Sequence, residues 1–136
     1  AHVLLCARRE KTALAAVQEI VSENSNAKVE YMHVDLPSMQ SVTGLTDAFL
    51  AKALGIDILL LNAGIIIPPF QLTKDGIESQ FGTNHIGHFL LVQNLLPILT
   101  TSKARVVHVT SLAHLYTVDQ GVDFANINSP ATYDKV

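Results

Sequence analysis

The chain has no tryptophan, a single cysteine, and aromatic residues at only 6% of its 136 positions. The lone Cys6 excludes an internal disulfide framework and a cysteine-rich zinc site, and it fits a reducing compartment. Only 15% of the residues are charged, and a formal net charge of -3 offers no basic surface that would track a phosphate backbone. Nucleic acid is therefore not an expected partner. No apolar run is long enough to cross a bilayer, and the opening residues "AHVLLCARRE" lack the basic region and cleavage site of a secretory signal. The expected location is intracellular, in the cytoplasm, and these residues carry no information on membrane attachment.

What is present is 49% hydrophobic content, ordinary for one globular domain of this length. The expected organisation is one partial domain over residues 1–136. The chain lacks an initiator methionine and starts almost at once on a strand-like run, which gives the expectation of a fragment.

"HVLLCA" (2–7) is apolar without strict alternation, as a strand buried on both faces would be. From Glu10 the period changes, and Leu14, Val17, Ile20 and Val21 fall at helical spacing. "KVEYMHVD" (28–35) is a second strand. The next helix carries Val42, Leu45, Phe49 and Leu50 on one face, with Ser38 as its expected cap and Gly55 as its expected stop. "DILLLN" (57–62) is a third strand. Thr73 is the expected cap of helical material running to about Thr101, with a bend expected at Gly82 or Gly87. "ARVVHVTS" (104–111) is a fourth strand, and after Leu115 the pattern fades into a loop.

Strands alternating with helices imply an α/β fold with a parallel sheet wound on both sides. Ligands of such sheets bind beyond the carboxyl ends of the strands. Those ends are "ARR", "VDL", "LNAG" and "VTSLAH". In "ILLLNAGIIIPPF" an aliphatic run breaks at Asn62, Ala63 and Gly64, where a core strand needs neither an amide nor a flexible glycine. The break points to a binding crevice.

In order and spacing, "CARREK", "DL", "LNAGI", "NHIGHFLL" and "RVVHVTSLAH" resemble the short-chain dehydrogenases/reductases over nearly the whole chain. The wording of "NHIGHFLL" and "SLAH" is similar to the retinol-dehydrogenase and WW-domain-oxidoreductase side of that family. The resemblance implies an NAD(P)-binding Rossmann-like fold and hydride transfer between a nicotinamide and a small alcohol or carbonyl substrate. Where NAD-binding relatives place an acidic residue after the first strand seen here, this chain has Ala7, Arg8 and Arg9. A guanidinium can take a 2′-phosphate in bidentate fashion, so NADP is expected over NAD.

By the same resemblance, Asp35 and Leu36 lie near the adenine. Asn62, Ala63 and Gly64 form the turn under the cofactor, with Asn62 tying neighbouring strands together. Asn84 is implied to hold a relay water through its carbonyl, and Ser111 to bond the substrate oxygen on which charge develops. From the residues alone, Asp35 could equally be a helix-entry residue, while a solvated helix start for Arg8 and Arg9 and a mere strand end for Ser111 are the weaker alternatives. His85, His88, His108 and His114 raise a metal site, but no His-Glu-x-x-His spacing supports one and none is expected. No Gly-x-Ser-x-Gly elbow surrounds Ser111, which argues against a serine hydrolase.

The family's phosphate-binding glycine loop and its Tyr-x-x-x-Lys pair are not found in the chain. Tyr133 and Lys135 have the wrong spacing to meet on one helical face. The family sheet order, 3-2-1-4-5, puts the strand not found here at its centre, so a gap is expected between "HVLLCA" and "DILLLN", about 4.8 Å on each side of the strand position. The 136 residues alone are therefore expected to be inactive and unstable or aggregating. The rival reading is a non-catalytic dinucleotide-binding sensor or scaffold. A flavodoxin-like or receiver-type domain is disfavoured for want of an acidic cluster or phosphate loop. The long helix after Thr73 is a surface on which the family often forms homodimers.

Overall fold

The computed structural model describes residues 1–116, 121–131 and 133. Among the described residues four strands and four helices follow in chain order: β1 (His2–Ala7), α1 (Glu10–Glu23), β2 (Lys28–His33), α2 (Met39–Leu50), β3 (Ile58–Leu61), α3 (Ser79–Phe81), α4 (Gly87–Thr101) and β4 (Arg105–His108). A π turn, Gly82–Ile86, joins α3 to α4, and a 3-10 turn, Leu112–Tyr116, follows β4.

The strands form two separate parallel pairs. β1 pairs with β2, His2 opposite Lys28 through Ala7 opposite His33, and β3 pairs with β4, Ile58 opposite Arg105 through Leu61 opposite His108. Neither β1 nor β3 has a partner on its second edge among the described residues. The split falls where the gap was expected, and the backbone groups along it have no ladder to join.

One core spans both pairs. Met32, Val34 and Leu36 from the end of β2, Val42, Leu45 and Phe49 from α2, Leu61 from β3, and Leu91, Leu95 and Leu99 from α4 are all buried together. The spacing of the α4 leucines, every fourth residue, puts them on one face, which closes against α2. Burial of each such side chain stabilises the fold by roughly 1.5–3 kcal/mol. The two half-sheets are therefore held together through helices rather than through strand pairing.

Several local expectations change. Ser38 caps α2, its Oγ accepting the Ser41 N–H at 3.3 Å, but the helix stops at Leu50 rather than at Gly55. A turn with Ala53 at φ 53° reverses the chain first. Leu50 is exposed, because it lies off the stripe of Val42, Leu45 and Phe49. Leu14, Ile20 and Val21 are also exposed, and only Ala13 of α1 is buried.

Thr73 does not start a long helix. Its Oγ1 accepts the Asp75 and Ile77 N–H groups at 3.2 Å each, closing a turn. The cap is Glu78, whose carboxylate accepts the Gln80 and Phe81 N–H groups at 2.8 Å each. A carboxylate at a helix start meets the positive end of the dipole as well as two free donors. A π turn, Gly82–Ile86, lies where a bend was expected. Gly87 at its exit is required by packing, since a Cβ there would come within 2.4 Å of the Leu36 carbonyl oxygen.

Candidate nucleotide site

Arg8, Arg9, Asp35, Leu36, Ala63 and Gly64 line one cleft of about 710 Å³ at the carboxyl ends of β1, β2 and β3. The topology brings them together because parallel strands end on one side. Arg9 immediately precedes α1 in extended conformation, φ -96° and ψ 99°, and its carbonyl accepts the Ala13 N–H at 3.1 Å. Both arginines thus flank the amino end of a 14-residue helix, where free N–H groups and the helix dipole already favour an anion.

Asp35 does not cap α2. Its carboxylate faces Arg8 instead, Oδ1 lying 3.8 Å from Nε. Its backbone belongs to the helix entry, the N–H donating to Ser41 Oγ at 2.9 Å and the carbonyl accepting from Ser38 N–H at 2.9 Å. The ion pair uses only Nε of Arg8, whose side chain is 66% exposed. Among the described residues no carboxylate pairs with its two terminal nitrogens, and that fork is open to another acceptor. Thr12 and Lys74 line the same cleft; neither was singled out from the sequence, because neither sits in a strand-end motif.

Asn62 is exposed, does not line the cleft, and makes no side-chain hydrogen bond to a neighbouring strand among the described residues. Asn84 instead holds the loop that follows β3. From the π turn, its Oδ1 accepts the Ile65 N–H at 2.9 Å and its Nδ2 donates to the Ile65 carbonyl at 2.8 Å. Gly64 sits against this amide, so that a Cβ there would lie 3.4 Å from Asn84 Oδ1.

Ser111 lies three residues past the end of β4, is exposed, and does not line the cleft. Its Oγ accepts the Ala113 N–H at 3.1 Å, and His114 Nδ1 donates to its carbonyl at 2.7 Å rather than facing the hydroxyl. That pairing is not the geometry of an activated nucleophile. Tyr133 donates its hydroxyl to the Pro68 carbonyl at 2.7 Å and meets Phe70 edge-on at 5.3 Å. Desolvation, with Glu78 adding to it, raises its phenol above the ordinary value, opposite to what a general base requires. Lys135 lies outside the described residues.

The model of the short chain dehydrogenase family matches residues 1–125. The chain belongs to that family. It is 42% identical over 141 aligned positions to the short-chain dehydrogenase TIC 32 B, chloroplastic, of Brassica napus, covering 99% of this chain and 44% of the relative. To the human WW domain-containing oxidoreductase it is 44% identical over 118 positions, covering 86% of this chain and 28% of the relative. Among solved structures it resembles a 3-oxoacyl (acyl-carrier-protein) reductase of Agrobacterium tumefaciens C58 with NADP bound, at TM-score 0.68 and 28% identity, covering 85% of this chain and 45% of that one.

The chain therefore spans less than half the length of these relatives. As a member of that family it carries an α/β fold with parallel strands. Among the described residues, no helix is long and apolar enough to cross a membrane. A chloroplastic relative beside others means that family likeness assigns no single compartment.

Proposed function

We propose that the chain provides the adenosine side of an NADP site in an oxidoreductase acting on an alcohol or carbonyl compound. The observation that carries this reading is the placement of Arg8 and Arg9 at the amino end of α1, on one cleft with Asp35, Leu36, Ala63 and Gly64. Two guanidinium groups beside a helix amino terminus favour a phosphomonoester over a bare ribose hydroxyl. The NADP bound by the similar Agrobacterium reductase is consistent with it.

The bound nicotinamide would supply the hydride chemistry. In this reading the chain's own residues do the positioning: Arg8 and Arg9 hold the 2′-phosphate, Asp35 and Leu36 flank the adenine, and the Asn62–Gly64 turn supports the ribose. Asn84 anchors that turn through Ile65 and takes part in the proton relay. Ser111 would donate a hydrogen bond to the substrate oxygen. A non-catalytic nucleotide-binding scaffold is the second reading, favoured by the exposed position of Ser111 away from the cleft.

The test is a titration of the longest open reading frame carrying these residues with NADPH and NADH, followed by nicotinamide fluorescence. NADPH is expected to bind tighter by about 10- to 100-fold, the range of one or two charge-assisted hydrogen bonds, with the preference lost in Arg8→Ala. Equal binding of both nucleotides by the unaltered protein would remove the NADP reading. Nucleotide binding without turnover of any alcohol or carbonyl would favour the scaffold.

A further inference from the structure

His88 is a polar side chain that the nucleotide reading leaves without a task, yet it is 3% exposed, one of the most deeply buried polar residues in the chain. It stands one residue past the Gly87 contact with Leu36 and one turn past Asn84. Its Nδ1 lies 3.0 Å from the Asn84 carbonyl oxygen. A carbonyl oxygen can only accept, so the imidazole must carry its proton on Nδ1 and present an unprotonated or shared Nε2 elsewhere. The rest of the ring faces a cavity of about 240 Å³ lined by Leu61, His85, Phe89, Val92, Val106 and His108. His108 meets it edge-on, with ring centroids 5.5 Å apart.

The place of this bond matters. Gly82–Ile86 is wound as a π turn, with the Gly87 N–H reaching back five residues to the Gly82 carbonyl, and α4 resumes the ordinary register from Gly87. Such a junction shifts the backbone ladder by one residue and costs hydrogen-bond geometry, so it persists only where side chains over-determine it. Asn84 is in the middle of that turn and is held from two sides. Its amide grips both polar atoms of Ile65, and its carbonyl is gripped by His88.

We infer that His88 is a positioning residue for Asn84: its Nδ1–H, held on the Asn84 carbonyl, sets the π turn that aims the Asn84 amide at Ile65 and so fixes the loop after β3. The consequence for ligand binding rests on the nucleotide reading above, but the effect on Ile65 does not. The geometry separates His88 from a merely space-filling residue. Asparagine at this position places an amide N–H close to where Nδ1 stands, glutamine places it one bond too far, and leucine has no donor.

The experiment uses the longest open reading frame carrying these residues and reads the Ile65 amide by hydrogen exchange, with NADPH affinity measured in parallel. His88→Leu and His88→Gln are expected to speed Ile65 exchange by about tenfold, the factor that one net hydrogen bond supports, while His88→Asn restores it. Unchanged Ile65 exchange in His88→Leu, or equal effects of Asn and Gln, would overturn the inference. Should the variants not fold, the unaltered protein still decides it: nitrogen chemical shifts of His88 must report the Nδ1–H tautomer, and the Nε2–H tautomer would overturn it. NADPH that fails to bind while Ile65 responds as expected would remove the nucleotide reading alone.

Discussion

Asn84 holds Ile65 by both ends of its amide, with Oδ1 accepting at 2.9 Å and Nδ2 donating at 2.8 Å. Side chain and backbone here make the pair of bonds that two strands would exchange, and they join the π turn before α4 to the loop after β3. Asn84→Asp keeps the acceptor for the Ile65 N–H but turns a second oxygen toward the Ile65 carbonyl. Asn84→Ala removes both bonds. Losses of about 1–3 kcal/mol are expected, with the aspartate at the upper end because it sets two oxygens face to face. Urea denaturation of both variants against the parent checks the order.

Gly87→Ala is expected to be more disruptive than its size suggests. The added methyl would approach the Leu36 carbonyl oxygen to 2.4 Å, and a backbone atom cannot rotate aside. Either α4 or the segment after β2 must shift, at a cost of at least about 1–3 kcal/mol. Since Leu36 lines the cleft, nucleotide affinity should fall with stability. Gly44, where a Cβ would meet nothing within 4 Å, is the matched control: Gly44→Ala in the interior of α2 should stabilise, by about 0.5–1 kcal/mol. Melting temperatures of the two variants should move in opposite directions.

Burial, with His108 and His85 adding to it, holds the His88 imidazole below its ordinary value of 6.5, and the bond to the Asn84 carbonyl only partly offsets this. In the unfolded chain His88 takes up a proton near pH 6.5, while in the folded chain it does so only at lower pH. The unfolded state therefore binds more protons in that window, and stability contributed by His88 falls as pH drops through about 6.5, levelling off below the folded value. His85, one turn earlier, and His108 on β4 are the neighbouring imidazoles. Denaturation midpoints at about pH 7.5, 6.5 and 5.5 should decline, and His88→Asn should flatten the decline if His88 is its source.

Ile58 and Leu60 are 64% and 59% exposed on one face of β3, whose free edge runs beside them, and Val3 on β1 is 48% exposed. An apolar strand with an open edge recruits other strands. The 136-residue chain is expected to self-associate at micromolar concentration, and Ile58→Lys to reduce this by placing a charge at the edge. Light scattering that shows a monodisperse monomer would contradict the expectation.

The alternation of strands and helices was legible because β1 and β3 are short aliphatic runs, β2 alternates in character, and α1, α2 and α4 carry helical spacing. Residues such as Arg8, Asp35 and Gly64, which end strands, were legible as one site for the same reason, since parallel strands deliver their ends to one side. The Arg8–Asp35 contact was not, because it joins residues from different strands through side-chain reach. Nor was the helix start at Glu78: threonine is a usual cap and glutamate is not, so the sequence favours Thr73, and only the turn that Thr73 closes moves the start to Glu78. The close approach of Gly87 to Leu36 left only an ambiguous trace, a glycine that could equally have marked a bend. The exposure of Leu14, Ile20 and Val21 was beyond any periodicity, which shows a stripe but not what covers it.

The division of the strands into two pairs bears on how the molecule assembles. β1–α1–β2 closes within 33 residues and β3 to β4 within the segment 58–108, so every strand finds its partner inside its own half. Pairing within a half closes a shorter stretch of chain than pairing across the halves would, which lowers its closure cost. Docking of α4 onto α2 and Leu36 is the step that makes two halves one body, and it waits on both. A substitution at Gly87 should leave the early pairing untouched and slow that last step, so the order of assembly is written into one glycine and the carbonyl it faces.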